Sequence, residues 1–375
     1  MMTTAHAAKP VARATAWLQA WDSHAIHRTA TAGDAAGLVW LAGEAAALGA
    51  ALGVEDFSLD RLDPVACHLE FDGMRIDGVP VFDAPATGPD GVSGRLGSDI
   101  AVAEMSPRAV YSGECQALRR RGGHRGLVIL CTGEAPGLAL LNAEQFREPY
   151  GAPAIHLSSE ARETVLAAAA RGAAARLVSD SRRTPGTAGN LVVTLPGSDP
   201  GRAPLVVMTP RSSWWQSTAE RGGGIVCWLE TLRALLAAPP SRPVILTANS
   251  GHELGHLGLD DFVARRPGCE RGLLWVHYGA NIGAAGGRLL LMSASDKWRA
   301  LTASELPGAE LAAKAVVPSG ETRDIHRAGG TYLTLVGTNP LFHLPQDRWP
   351  HAVDVPEITR IATAAARIAV ALSRS

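Results

Sequence analysis

The sequence predicts an α/β fold with a mostly parallel central sheet flanked by helices, interrupted by a small inserted α/β module. Apolar strand runs alternate with helical or glycine-rich stretches over the C-terminal half, a pattern typical of buried parallel strands. The chain of 375 residues is also long for one compact domain, and turn-rich stretches divide it into two strand patterns. We therefore place one α/β domain at 1–97 and 186–375 and the module at 98–185.

The N-terminal part of the chain begins with an amphipathic helix. From Asp34 onward, Leu38, Leu41, Ala45 and Leu48 fall on one helical face, with Asp34 as the expected N-cap. Short strand-like segments follow, and they end in the turn-rich stretch ATGPDGVSGRLGS. This stretch is the first expected boundary.

The inserted module is predicted to hold short strands and few helices. Its strands are DIAVAEM, GLVILCT, PAIHLS and ARLVSD, and its main helix is SEARETVLAAAARGA. The Gly- and Pro-containing stretch RRTPGTAG is predicted to be the loop that closes the module.

The main domain then resumes as a series of apolar strands. These are NLVVTL, PLVVM, PVILTA, LLWVH, RLLLMS and YLTLV, with the helix GGIVCWLETLRALLA after the second and the closing helix VPEITRIATAAARIAVAL at the end. In sheets of this kind ligands bind outside the carboxyl ends of the strands. The residues that follow these strands are therefore the first candidates for a site.

Composition excludes several classes of partner. Thirty-five Lys and Arg against 36 Asp and Glu provide no field to attract nucleic acid, and no run of 18 apolar residues predicts a membrane span. The five cysteines are scattered and form no CxxC, so we expect reduced, buried thiols. The N-terminal segment lacks a secretory signal pattern, which predicts a cytoplasmic protein. Composition leaves a homo-oligomer open.

The sharpest local motif is His252-Glu253-Leu254-Gly255-His256, directly after strand PVILTA. On a helix, HExxH holds zinc with its two histidines and activates water with its glutamate. However, no third histidine follows at the usual spacing, and Gly255 and Gly258 weaken a continuous helix. The sequence therefore does not favour the HExxH interpretation.

The same segment fits another pattern. A strand, then Glu-x-Gly-x-x-Gly, then a helix, with FHLPQD near the C-terminus, resembles the co-catalytic zinc aminopeptidase family. That family includes leucyl aminopeptidases, glutaminyl cyclases and the transferrin-receptor ectodomain. The resemblance covers most of the chain, and residues 98–185 resemble the protease-associated insert of that family. It implies a peptidase-like hydrolase with a zinc site.

The match to the family's ligand positions is partial. Glu253 and His343 fall on metal-binding positions, whereas Pro210 and Ala219 stand where two further ligands belong. His252 replaces the carboxylate that acts as general base, and His277 stands where the last aspartate belongs. The resemblance thus implies an incomplete two-zinc site.

The residues that remain are still compatible with a site for a single metal ion. The resemblance implies Glu253 and His343 as two zinc ligands, with Glu220 or His277 as the third, and one ion or none per chain. His252 is then the expected proton shuttle. We expect a hydrolase that acts on a peptide or small amide, and the alternative is a metal-free pseudoenzyme that binds a ligand or protein partner.

Three residues are expected to contact the substrate. Trp214 and Trp215 share a loop with Pro210, and Arg323 precedes strand YLTLV, where it is suited to hold a carboxylate or to lie in a solvated turn. A serine nucleophile at Ser212 or Ser213 is less favoured, because the chain has no GxSxG elbow.

Overall fold

The computed structural model describes residues 9–375, in which helices pack on both faces of a large mixed sheet. The prediction that the chain lacks a secretory signal rests partly on residues 1–8, and these lie outside the described residues. The helices are α1 (Pro10–Ser23), α2 (Ala32–Ala47), α3 (Ala109–Ser112), α4 (Glu114–Arg121), α5 (Arg162–Ala170), α6 (Thr218–Ala237), α7 (Leu257–Ala264), α8 (Cys269–Gly272), α9 (Asp296–Glu305), α10 (Thr322–Arg327) and α11 (Val355–Arg374).

The strands form two sheets. They are β1 (Leu52–Phe71), β2 (Met74–Asp77), β3 (Val79–Pro80), β4 (Val92–Arg95), β5 (Ile100–Met105), β6 (Gly126–Cys131), β7 (Ala154–Leu157), β8 (Ala174–Leu195), β9 (Leu205–Pro210), β10 (Val244–Asn249), β11 (Leu274–Tyr278), β12 (Leu289–Met292), β13 (Glu310–Leu311) and β14 (Thr331–Gly337).

The large sheet has the strand order β13-β12-β14-β11-β9-β10-β8-β1-β2, and β4 also pairs with β8. Its centre, β14-β11-β9-β10, is parallel throughout. The antiparallel pairs lie on either side of this centre, at β12/β14 and from β10/β8 outward. The predicted mostly parallel central sheet is confirmed.

Apolar side chains cover both faces of this sheet. On one face α1, α6 and α11 pack around a core that includes Trp21 and Trp228, neither of which is exposed. On the other face α7 supplies Phe262, whose ring meets that of Trp275 on β11 edge-on at a centroid distance of 5.9 Å. The sequences of these strands are continuous apolar runs because helices bury both faces of the sheet.

The smaller sheet has the order β3-β7-β6-β5. A ribbon of β1 and β8, paired from Leu52↔Val193 to Phe71↔Ala175, runs from the large sheet to this region.

The prediction of a loop at RRTPGTAG is wrong, because residues 182–189 lie inside β8. Within the described residues β1 is the partner of this stretch of β8, and a strand with one partner tolerates Pro and Gly better than a central strand does. The module boundaries at 98 and 185 stay a prediction.

The start of α2 differs slightly from the prediction. Thr31, not Asp34, is the N-cap, and its side chain accepts a hydrogen bond from the Asp34 backbone N–H. The buried Asp34 carboxylate instead pairs with Arg211, whose Nη1 lies 2.6 Å from Oδ1. Asp34 thus links α2 to the end of β9.

All five cysteines are buried and free, which confirms the prediction of buried thiols. Burial raises the pKa of Cys67 to about 12 and that of Cys269 to about 11. Thiols of this kind react slowly at neutral pH because the thiolate is scarce.

In residues 9–375, no helix combines the length and apolar character that a membrane crossing requires.

Acid pH is expected to destabilise the fold through His27. The buried His27 ring stacks on Trp21 at a centroid distance of 3.6 Å, and burial lowers its pKa to about 3. Below pH 6.5 the unfolded chain gains a proton on this residue and the folded chain does not, so stability falls between pH 6.5 and 3. Between pH 7 and pH 5, His27→Phe should lose about 2 kcal/mol less unfolding free energy than the parent.

Urea unfolding at the two pH values measures this difference. His351→Phe, which removes an exposed imidazole, is the control and should behave like the parent protein. An equal loss of stability in the parent and in His27→Phe would contradict the prediction.

Candidate functional site

Histidines gather at the carboxyl edge of the parallel strands. His252 follows β10 by three residues, and His277 lies near the end of β11, two strands away in the sheet. Both side chains are buried. They lie where the strand order predicts a ligand site.

The turn after β10 brings His256 next to His252. Residues 252–254 form one turn of 3₁₀ helix, and then Gly255 and His256 are both left-handed, with φ of 81° and 66°. The chain therefore doubles back before α7 begins, and the two imidazole rings lie 5.2 Å apart. This is not the continuous helix of an HExxH zinc motif, yet the two histidines converge.

Glu321 completes the group. Its Oε1 lies 3.0 Å from Nδ1 of His252, and its Oε2 lies 3.2 Å from Nε2 of His277. One potential ligand atom from each of His252, His256 and Glu321 lies within 4.8 Å of the others, and all three residues are buried. Histidine nitrogens and carboxylate oxygens are common zinc ligands.

A second layer of polar residues orients these imidazoles. Nδ1 of His256 lies 2.6 Å from Oδ2 of Asp324, and Nδ1 of His277 lies 3.1 Å from Oγ1 of Thr322. Each contact leaves Nε2 of the ring without a hydrogen-bond partner among the described residues. Metal-binding histidines are typically held in this way through the other ring nitrogen.

The site combines an ionised carboxylate with neutral imidazole. Burial opposes ionisation of Glu321, but His252 beside it holds the pKa of this carboxyl well below the usual range. Burial, followed by the charge of Arg221, lowers the pKa of His252 to about 4. At neutral pH this imidazole keeps a lone pair beside the carboxylate.

A small cavity of about 80 Å³ opens onto the histidines. Its walls include the apolar side chains of Leu290, Met292 and Val336. Arg108 lies at its exposed edge, with its guanidinium carbon over the ring of Phe342 at 5.3 Å from the centroid. Arg108 reaches this position from the residues just after β5.

Glu253, a predicted zinc ligand, is engaged in hydrogen bonds. Its Oε1 accepts from the backbone N–H and the hydroxyl of Thr29, both at 2.7 Å, and its Oε2 accepts from Oγ of Ser212 at 2.6 Å. Burial raises its pKa in spite of these bonds. The carboxylate therefore joins the N-terminal segment to the loop after β9.

Two other predicted ligands do come together. Nε2 of His343 lies 3.5 Å from Oε1 of Glu220, and Nη2 of Arg221 lies 2.7 Å from the same oxygen. Pro210 and Ala219 are buried and provide no ligand atom. The structure thus places His252 and His277 around Glu321 and brings Glu220 and His343 together, while Glu253 belongs to neither group.

The predicted substrate residues are placed away from the cavity. Trp214 is buried and donates to Oδ1 of Asn142, and Trp215 donates to the carbonyl of His343. The Arg323 guanidinium pairs with Glu144 at 2.6 Å. None of these three residues lines the cavity beside His252 and His277.

The serine alternative has no support in these contacts. Oγ of Ser212 donates to Glu253 and accepts from the backbone N–H of His252, so it does not bond to an imidazole. Oγ of Ser213 donates to the carbonyl of Trp215. Both hydroxyls hold the loop after β9 in place.

Solved structures with the same fold are readily found, although no protein-family model and no curated protein matches the chain. A peptidase M28 precursor from Shewanella amazonensis aligns with a TM-score of 0.75 and 14% identity over 98% of this chain and 97% of its own. A zinc aminopeptidase from Bacillus subtilis aligns with a TM-score of 0.74 and 16% identity over 95% and 94%. The chain has the zinc aminopeptidase fold. An aminopeptidase from Aneurinibacillus sp. strain AM-1 aligns likewise, with a TM-score of 0.71 and 12% identity over 96% and 92%.

The zinc aminopeptidase fold was therefore predictable, but the residues of the Glu321 group were not. Sequence reasoning set His256 aside with the HExxH interpretation and missed Glu321. The HExxH spacing was the one signal for His256, and Glu321 carried none beyond its place in the segment ETRDIH.

Proposed function

We propose that this protein is a hydrolase that cleaves a peptide or small amide at a single zinc centre held by His252, His256 and Glu321. The observation that carries the proposal is the convergence of three buried ligand atoms within 4.8 Å. A buried carboxylate beside the neutral imidazole of His252 is also a costly arrangement unless a cation accompanies it.

The contacts within the group fit a metal better than a hydrogen-bonded cluster. Nδ1 of His252 and both oxygens of Glu321 approach to about 3 Å but lack hydrogen-bond partners among the described residues. Potential metal-ligand atoms that lie close together without hydrogen-bonding to each other are expected where all of them face one ion. Asp324 then plays the supporting role behind His256.

A zinc ion in this group would supply a Lewis acid for the scissile carbonyl. The proton transfer falls to His277, which lines the cavity beside the group. Oγ1 of Thr322 donates to the carbonyl of Ser319 and so accepts from the Nδ1–H of His277. In this tautomer Nε2 carries the lone pair, takes a proton from the attacking water and returns it to the leaving amine. The roles expected for His252 and His277 are thereby exchanged.

The cavity also favours a class of substrate. Leu290, Met292 and Val336 suit a small apolar side chain, and Arg108 at the edge suits a carboxylate. No carboxylate of residues 9–375 forms an ion pair with Arg108 within 4.0 Å. We therefore propose short peptides or acylated amino acids with a free carboxyl terminus as substrates.

Zinc titration tests the centre and peptide hydrolysis tests the activity. Protein stripped with a chelator should take up one equivalent of zinc and then cleave short peptides with an apolar residue next to a free carboxyl terminus. The same peptides with an amidated terminus should show a higher KM and a similar kcat. Absence of zinc binding would contradict the proposal and favour a metal-free protein that binds a ligand or partner.

A further inference from the structure

A second buried group lies beside the proposed zinc centre and has its own positive charge. It consists of Glu220 and Arg221 in the first turn of α6 and His343 from the segment before α11. All three side chains are at most 1% exposed. The mechanism proposed above uses none of them.

The orientation of His343 makes it a donor of a lone pair. Its Nδ1–H donates to the carbonyl of Leu140 at 2.6 Å, so the neutral ring carries its lone pair on Nε2, which faces Oε1 of Glu220 at 3.5 Å. Neither Nε2 nor either oxygen of Glu220 has a hydrogen-bond partner among the described residues. An imidazole nitrogen and a carboxylate at this separation are two of the ligand types that zinc prefers.

Arg221 already places a cation on these two groups. Its Nε donates to the carbonyl of Ser212 at 2.7 Å, which fixes the guanidinium while Nη2 lies 2.7 Å from Oε1 of Glu220. Burial opposes ionisation of Glu220, yet the charge of Arg221 lowers the pKa of this carboxyl to about 2. The carboxylate is therefore neutralised by the protein itself.

We propose that Arg221 is a built-in cation that occupies the place of a metal ion on Glu220 and His343, and thereby limits the chain to one bound ion. An ordinary structural ion pair would look similar, but its removal would leave metal stoichiometry unchanged. The inference rests on the proposed function for the first ion, and it concerns only the difference that Arg221 makes.

The test is the number of zinc equivalents bound by the full-length chain. After chelator treatment, calorimetric titration and elemental analysis should give one equivalent for the parent protein and two for Arg221→Met, which removes the charge and keeps an unbranched side chain. The additional equivalent should disappear in the double variant Arg221→Met with His343→Ala, and Arg221→Lys should stay at one. A folded Arg221→Met that still binds one equivalent would overturn the proposal.

Two outcomes need separate readouts. If Arg221→Met is unfolded without metal, recovery of its circular dichroism upon zinc addition supports the proposal, and failure to recover at any zinc concentration overturns it. If the parent binds no zinc, the proposed zinc centre fails. The Arg221 proposal then stands if Arg221→Met binds one equivalent through His343, and it falls if that variant binds none.

Discussion

Glu321→Gln should reduce zinc affinity by on the order of 100-fold and abolish measurable hydrolysis. The amide keeps the size of the side chain but removes the one negative charge within the proposed ligand set of His252, His256 and Glu321. Structural zinc sites are worth roughly 10–16 kcal/mol, so the loss of one of three or four ligands should cost about 3 kcal/mol. Zinc titration and peptide hydrolysis, each on stripped and reloaded protein, measure the two effects.

Stability separates loss of the metal from loss of the fold. Without zinc, Glu321→Gln should remain folded but be less stable than the parent, because the fold holds the pKa of Glu321 below its usual range and so favours the ionised carboxylate at neutral pH. Glu305→Gln in α9, where the partly exposed carboxylate pairs with Arg367, is the control and should retain both zinc and activity. If Glu321→Gln kept full zinc affinity, the ligand assignment would be wrong.

Gly223→Ala should destabilise the fold by about 3 kcal/mol or more. Gly223 lies in α6, where an added Cβ would come within 1.9 Å of the carbonyl oxygen of Ile282. The backbone of the loop after β11 would have to move, and this loop also carries Asn281, whose N–H bonds to the carbonyl of Glu220 at 3.0 Å. The substitution should therefore disturb the cavity as well as the fold.

Gly43→Ala is the matched control in another helix. It lies in α2 with no heavy atom within 4 Å of the added Cβ. This change should stabilise the protein by about 0.5–1 kcal/mol, because alanine favours helix and restricts the unfolded chain. Urea unfolding measures the free energy of unfolding of both variants. Equal free energies would contradict the predicted cost of an added Cβ at Gly223.

The sheet was predictable because each central strand carries its own signal. Runs such as LVVM and LLWV lie between helices on both faces, so local composition reports their burial directly. The position of the site followed from the same pattern, since the carboxyl ends of β9, β10 and β11 meet at one edge.

The ligand set was less predictable because it depends on backbone conformation and distant contacts. His256 reaches His252 only because Gly255 and His256 both adopt positive φ, which residue spacing does not reveal. Glu321 follows a segment of irregular structure and reaches His252 from 69 residues away along the chain. RRTPGTAG was misjudged because Gly and Pro usually indicate turns, whereas here β1 supplies the pairing.

The long pairing of β1 with β8 has a consequence for synthesis on the ribosome. Every paired residue of β1 finds its β8 partner more than 100 residues later in the chain, so at about 20 residues per second the strand waits roughly 5 s or longer for it. An unpaired strand is then exposed to aggregation with other nascent chains. The sequence of β1 carries Glu55, Asp56, Asp60, Asp63 and Pro64, the kind of residues that discourage such pairing. We expect these residues to protect the nascent chain during the interval, because like charges and proline oppose strand pairing between chains.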